Sequence, residues 1–347
     1  MTEYQLDIVD RKLLNLLQAG IPLVQQPFLQ LSRELAVEES EVIERIENLK
    51  EQKVIRQISA IFDTKSLGYE SSLVAASVRP ERLQAAVEIL NAHPGVSHNY
   101  ERSHRFNVWF TIAIPPDSKI GLEGTVELLG RMAGVDSIRI LPTLKLYKIG
   151  VKLDMESDGG TSVLDAPVYD ENSAAKPQEL TELDIAIVRE AQEYLPIIAQ
   201  PFDAMAEKVG ISVAAFLERL QELQASGHMR RFAAVLHHRK AGFQVNAMGV
   251  WAVPDEIVDQ VGVQLAKFSA VSHCYRRTSY ADWPYTVFTM IHGRDRDDCE
   301  NILREMAEAT GIYERDALYS VREFKKVRVK YFTPEIGEWE KRYGEVK

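Results

Sequence analysis

Long stretches of this chain are spelled twice. Val24-Gln-Gln-Pro-Phe28 returns as Ile198-Ala-Gln-Pro-Phe202, and Gly95-Val-Ser-His-Asn-Tyr100 returns as Ala270-Val-Ser-His-Cys-Tyr275. Asn107-Val-Trp-Phe-Thr111 matches Tyr285-Thr-Val-Phe-Thr289 in the same way, and the offset stays between 174 and 178 residues. Solenoid repeats have periods of only roughly 20–50 residues, so the duplicated unit is a whole domain assembly. The copies part company at one place. Ala60-Ile-Phe-Asp-Thr-Lys-Ser-Leu-Gly68 faces Ala234-Val-Leu-His-His-Arg-Lys-Ala-Gly242, so only the second copy carries a histidine and arginine cluster. That asymmetry reads as a scaffold half and a working half.

At 347 residues the chain has room for about two to three domains with cores of their own. Apolar content of 46% and charged content of 27% are those of an ordinary globular protein. The first residues lack the basic and apolar regions of a signal peptide, and no apolar run approaches the ~20 residues of a membrane helix. Only Cys274 and Cys299 occur, too few for a disulfide framework, so a reducing cytoplasm is the expected compartment. A net charge of −10 argues against a protein that grips phosphate backbones. Cations are clustered nonetheless: Arg230, Arg231, His237, His238, Arg239 and Lys240 lie close together, and Lys325, Lys326, Arg328 and Lys330 lie near the end. Local cationic clusters in an acidic chain suit a small polyanionic ligand.

Residues 154–178 lack apolar periodicity and are rich in Gly, Ser, Ala and Asp, which marks a linker between copies. Each copy opens with three helix-like segments, near 6–17, 28–35 and 40–50 in the first and 183–191, 202–209 and 212–224 in the second. They read as a helix-turn-helix, with the strand after Gly227 as its wing. Strand and helix then alternate as a βαββαβ ferredoxin-like unit. The expected fold is therefore α+β, with tandem winged-helix and ferredoxin-like units. The boundaries are 1–54 and 55–153 for the first copy and 179–228 and 229–347 for the second. A sheet with one open face must cover it, so the two sheets are expected to pack as an internal pseudo-dimer. Further association of two chains is left open.

A winged helix followed by such a sheet, with the turn Phe62-Asp-Thr-Lys-Ser-Leu-Gly-Tyr69, resembles the leucine-responsive (Lrp/AsnC) regulator family. In the second copy Phe232-Ala-Ala-Val-Leu-His-His-Arg-Lys-Ala-Gly-Phe243, Val271-Ser-His-Cys-Tyr-Arg-Arg277 and Asp282–Gly293 are similar to the siroheme decarboxylase family, which derives from that regulator fold. The resemblance covers nearly the whole chain and is looser in the first copy, which looks like the companion subunit fused in front. It implies removal of carbon dioxide from two ring acetates of siroheme, giving 12,18-didecarboxysiroheme for heme d1 or alternative heme synthesis. It implies no added cofactor, because the iron belongs to the substrate.

Residue chemistry points the same way. Arginine pairs with carboxylate through a charge-assisted fork. Imidazole can ligate iron, and it titrates near neutrality, so it can also protonate a ring carbon. The catalytic candidates are His237, His238 and His273, with His238 or His273 on the substrate iron and the other as general acid. Arg230, Arg231, Arg239, Arg276 and Arg277 are candidate clamps, with Lys240 adding charge. Strand alternation turns only one of Arg276 and Arg277 inward. Trp283, Tyr275 and Tyr285 offer flat surface for a macrocycle. His98, Tyr100 and Arg102 of the first copy are expected to reach the ligand of the second.

Two other functions compete: a DNA-binding regulator and a heme-binding sensor without catalysis. The third helix of the first copy carries Glu38, Glu39, Glu41, Glu44, Glu47 and Glu51 against Arg45 and Lys50, and the second copy offers Glu218, Arg219 and Glu222. Those carboxylates would repel a phosphate backbone, so DNA is not the expected partner. Related iron tetrapyrroles are.

Overall fold

The computed structural model describes residues 6–149, 179–236 and 245–344. The 154–178 linker and the His237-His238-Arg239-Lys240 stretch lie outside those described residues. The first copy runs α1 (Ile8–Ala19), α2 (Pro27–Leu35), α3 (Glu39–Glu51), β1 (Ile55–Phe62), β2 (Glu70–Ser77), α4 (Leu83–Ala92), β3 (Val96–Arg102), β4 (Val108–Ile114), α5 (Gly121–Ala133), β5 (Ser137–Leu141) and β6 (Thr143–Ile149). The second runs α6 (Glu182–Ala191), α7 (Asp203–Val209), α8 (Val213–Ala225), β7 (Met229–Leu236), β8 (Val245–Trp251), α9 (Val258–Ala266), β9 (Val271–Arg277), β10 (Val287–Gly293), α10 (Arg296–Thr310), β11 (Arg315–Lys326) and α11 (Glu335–Tyr343).

Local chemistry starts the helices. Asp7 with Asp10 and Thr181 with Asp184 form capping boxes at α1 and α6, satisfying otherwise unpaired first-turn N–H groups. The same aspartates receive the arginine of each third helix: Arg45 meets Asp10 at 2.8 Å, and Arg219 meets Asp184 at 2.5 Å. The arginines of these would-be recognition helices are thus bound internally.

The strand after Gly227, read as a wing, finds its ladder partner in the other copy: β7 packs on its own helices but pairs antiparallel with β1, Ile55 opposite Leu236 and Phe62 opposite Met229. Ile58, Ala60 and Phe62 of β1 and Met229, Phe232 and Ala234 of β7 join one core with the helices of both copies. Both strands therefore pack with the helical body rather than with the sheets to which the boundaries at 55 and 229 assign them. Burying two apolar faces in one ribbon replaces two half-covered wings.

The remaining strands form one nine-stranded sheet, in the order β5-β2-β4-β3-β11-β8-β10-β9-β6. Its ends are consecutive in sequence, β5 and β6 being separated only by Pro142, which has no N–H to give a ladder. β6 crosses to pair with β9 of the second copy, and the far half of β11 crosses to pair with β3 of the first. This exchange is the internal pseudo-dimer. On its inner side Ala75, Phe106, Trp109 and Leu141 of one copy pack against Met248, Val250, Trp283, Phe288 and Leu318 of the other. The two halves of the sheet, one from each copy, therefore face one another, as the apolar alternation of their strands demands. A close approach fixes β6: a Cβ at Gly262 of α9 would lie 2.2 Å from the Tyr147 ring, and Tyr147 donates its hydroxyl to Asp259 at 2.6 Å.

Candidate active site

Strand alternation places His98, Tyr100 and Arg102 of β3 on the inner face, because Tyr100 lies opposite Trp109 in the ladder. His273, Tyr275 and Arg277 of β9 occupy the matching face, with Tyr275 opposite Phe288. Each copy thus carries a column of arginine, tyrosine and histidine. The arginine end lies at the centre of the sheet interface. There Arg102 donates to the Leu318 carbonyl at 2.9 Å and Arg277 to the Leu141 carbonyl at 2.6 Å, each bond crossing to the other copy. Both guanidiniums are deeply buried, which pushes their pKa values down to about 10, and each stacks over its neighbouring tyrosine. Arg102 and Arg277 thus fasten the two copies together, each through a backbone carbonyl of the other.

Arg276 points to the helix-covered face, where it meets Asp255 at 3.0 Å. Trp283 is only 1% exposed and lies between Phe106 and Trp109 of the first copy, so it is core rather than a platform for a macrocycle. Tyr285 packs against it, ring centroids 4.9 Å apart.

The histidine end of the first column lies towards the β1–β7 ribbon, where Arg56 of β1 donates to the carbonyl of Lys326, the residue opposite His98, and in the second column the charge of Arg230 reaches Tyr275. His273 has its Nδ1 2.9 Å from Ser272 Oγ, and that hydroxyl is 2.7 Å from His292 Nε2. His98 repeats the contact with Ser97 at 3.1 Å. Burial, with His292 adding, lowers the His273 pKa to about 4; burial, then Lys326 and Arg56, lowers that of His98. Both imidazoles are neutral at pH 7. A neutral imidazole with Nδ1 held on a hydroxyl presents Nε2 as a metal ligand, and it is a poor proton donor.

The columns differ in their flanks. Leu146 and Ile149 lie opposite Tyr275 and His273, whereas Glu323 and Lys326 lie opposite Tyr100 and His98. Apolar walls make the second column the better bed for a flat macrocycle. The cations show a reverse asymmetry. Asp63 of the first copy accepts from Arg230 Nε at 3.1 Å and Nη2 at 2.6 Å. Burial raises the Asp63 pKa, but hydrogen bonds from the Ser66 backbone and Arg230 outweigh it and hold the carboxyl below its usual range. Arg231 sits beside Arg230 on the ribbon, opposite Ile61. His237, His238, Arg239 and Lys240 lie outside the described residues; they directly follow Leu236, whose ribbon partner is Ile55.

Two residues of this region escaped the sequence reading: Asp63 as a partner of Arg230, and the cation Arg56. Arg56 had a signal, since the 174-residue offset makes it the counterpart of Arg230. Arg328 was legible only as part of the cationic cluster near the end; that it reaches Ser59, across 269 positions of chain, was not.

His93, away from the columns, yields a pH prediction. It is fully buried beside Trp339, and burial, with Lys325 adding, lowers its pKa to about 3. Below pH ~6.5 the unfolded chain takes a proton that the folded one refuses, so stability falls as pH drops. The expected loss from His93 between pH 7 and pH 5 is about 2 kcal/mol. Denaturant unfolding at the two pH values checks it, and His93→Gln should flatten the slope by that amount.

One helical core drawn from both copies and a sheet whose halves exchange strands define a duplicated regulator-type fold that carries paired arginine–tyrosine–histidine columns. Residues 66–148 and 240–325 match the AsnC-like ligand binding domain, and residues 10–56 and 184–230 match the siroheme decarboxylase NirDL-like HTH domain. The siroheme decarboxylase of Hydrogenobacter thermophilus is 40% identical over 94% of this chain and 96% of its own. The siroheme decarboxylase beta subunit of Methanosarcina barkeri is 43% identical over 44% of this chain and 99% of its own. A crystal structure of the siroheme decarboxylase NirDL with an iron-uroporphyrin III analogue superposes with a TM-score of 0.78 at 34% identity, covering 96% of this chain and 98% of that one. The chain belongs to the siroheme decarboxylase family. Among the described residues no helix is long and apolar enough to cross a membrane.

Proposed function

We propose that this chain is a carboxy-lyase that removes two ring acetates of siroheme as carbon dioxide, giving 12,18-didecarboxysiroheme. The observation that carries it is the second column: a neutral His273 held by Ser272 and walled by Leu146, Ile149 and Tyr275, in a chain of this family. In each step the bond between the side-chain methylene and the carboxylate breaks. Its electron pair flows into the protonated ring and leaves an exocyclic methylene, which takes up a proton as the ring gives its own back, so each step consumes one proton and ends in a methyl group. No oxidant is consumed. The iron arrives with the substrate, and no resident cofactor is invoked.

His273, neutral at pH 7, suits the iron ligand better than the acid. That leaves the acid role to His238, with His237 as the alternative. Arg230 and Arg231 supply positive charge from the ribbon, with Arg239 and Lys240 following in sequence. His98 and Tyr100 close the cleft from the first copy. Anaerobic incubation with siroheme followed by mass analysis tests the activity, and loss of two carbon dioxide molecules is expected. Unchanged siroheme under conditions where a relative works would reject it, and binding without turnover would favour the sensor. Titration with an iron tetrapyrrole should saturate near one equivalent per chain.

A further inference from the structure

We propose that Arg56 and Arg328 form a carboxylate clamp on the first-copy side of the cleft, taking rim carboxylates of an iron tetrapyrrole. The identity of the ligand rests on the proposed function.

The two copies treat equivalent arginines differently. Arg230 is met by Asp63, whereas the residue that corresponds to Asp63 in the other copy is His237, which has no carboxylate to give. Among the described residues, Arg56 meets only the backbone carbonyl of Lys326, at 3.2 Å. Arg328 donates to the Ser59 hydroxyl at 2.6 Å, and no carboxylate of the described residues pairs with it. Burial, and then the charge of Arg56, lowers the Arg328 pKa, while Tyr331 opposes the shift. Two neighbouring guanidiniums that share no acid are costly to hold together, unless an anion joins them.

The scaffold holds them there. The strap that follows β11 is laced to the helical body: Tyr331 N–H donates to Gln192 Oε1 at 2.7 Å, and the Gln192 amide returns a bond to the Tyr331 carbonyl at 3.1 Å. The Phe332 N–H donates to the Tyr69 hydroxyl at 2.5 Å, and Lys330 pairs with Glu193 at 2.7 Å. Arg328 is therefore fixed before any ligand arrives, which reduces the ordering that binding would require. A guanidinium fork matches a carboxylate in two parallel bonds. Arg56 holds the carbonyl of Lys326, the residue opposite His98 in the ladder, so a carboxylate taken here lies beside the first-copy column.

Iron-uroporphyrin III, carboxylate-rich and coloured, is the probe, with its Soret band followed on titration of the full chain. Arg56→Ala and Arg328→Ala should each raise Kd by ~10–100-fold. Arg322→Ala, which removes an exposed cation paired with Glu101, should leave Kd unchanged. Arg56→Lys and Arg328→Lys keep the charge but lose the fork, so they should still bind several-fold more weakly. The lysine pair decides the matter if an alanine variant melts early. Wild-type Kd in all four variants, with the wild-type chain binding the probe, overturns the clamp alone. A wild-type chain that does not bind iron-uroporphyrin overturns the proposed function and the clamp with it.

Discussion

Trp283→Ala is expected to destabilise the chain by about 3–5 kcal/mol, the range for removing a large aromatic ring from a packed core. Trp283 touches Trp109 at 5.2 Å and Phe106 at 5.6 Å between ring centroids, both from the other copy, and Tyr285 from its own. The hole would open between the two sheets, where neither can collapse without shifting the other. Denaturant unfolding measures the loss. A platform for the macrocycle would behave in the opposite way: near-normal stability with weakened tetrapyrrole binding. That outcome would restore Trp283 to the ligand and remove it from the core.

His238→Ala is expected to lower turnover by ~10²–10⁴-fold with affinity largely intact, the signature of a lost general acid. His273→Ala should act differently, because its imidazole is neutral at pH 7 and is oriented by Ser272. Its loss should shift the absorption of a bound iron tetrapyrrole as the axial ligand changes. Steady-state kinetics and titration of both variants, with His237→Ala beside them, separate the roles. Equal and small effects at all three positions would mean that none of them carries the chemistry.

The three opening helices of each copy could be placed to within a residue or two from the spelling alone. Apolar spacing near 3.6 and the punctuation by Pro27, Ser212 and Gly227 are local signals, and α2 and α8 obey them. The repeat made the pseudo-dimer legible, since an open sheet with a duplicate beside it has one economical cover. Partner choice was not legible. That β7 takes β1, and that β6 takes β9, depends on contacts far apart in sequence, and the text of a wing strand is the same whichever neighbour it finds. The site suffered from the same blindness. Alternation shows that one of Arg276 and Arg277 faces inward, but only the ladder shows that the inward one ends on a carbonyl deep in the interface. Trp283 beside Tyr285 reads as a flat ligand surface until the first copy is laid over it.

The exchange of edge strands also constrains how the molecule is made. β6 is synthesised long before its ladder partner β9, and β1 must wait in the same way for β7. Until then the nascent first copy holds out β1, β6 and the free edge of β3, with Leu144, Leu146 and Ile149 along β6. Such edges are templates for wrong pairing, and non-local closure of this kind is slow. Fusion places the correct partner on the same chain, so the encounter that ends this exposure is independent of protein concentration. For an enzyme whose halves complete each other's sheets, a single polypeptide is a remedy for vulnerability during birth as much as a means of joining two domains.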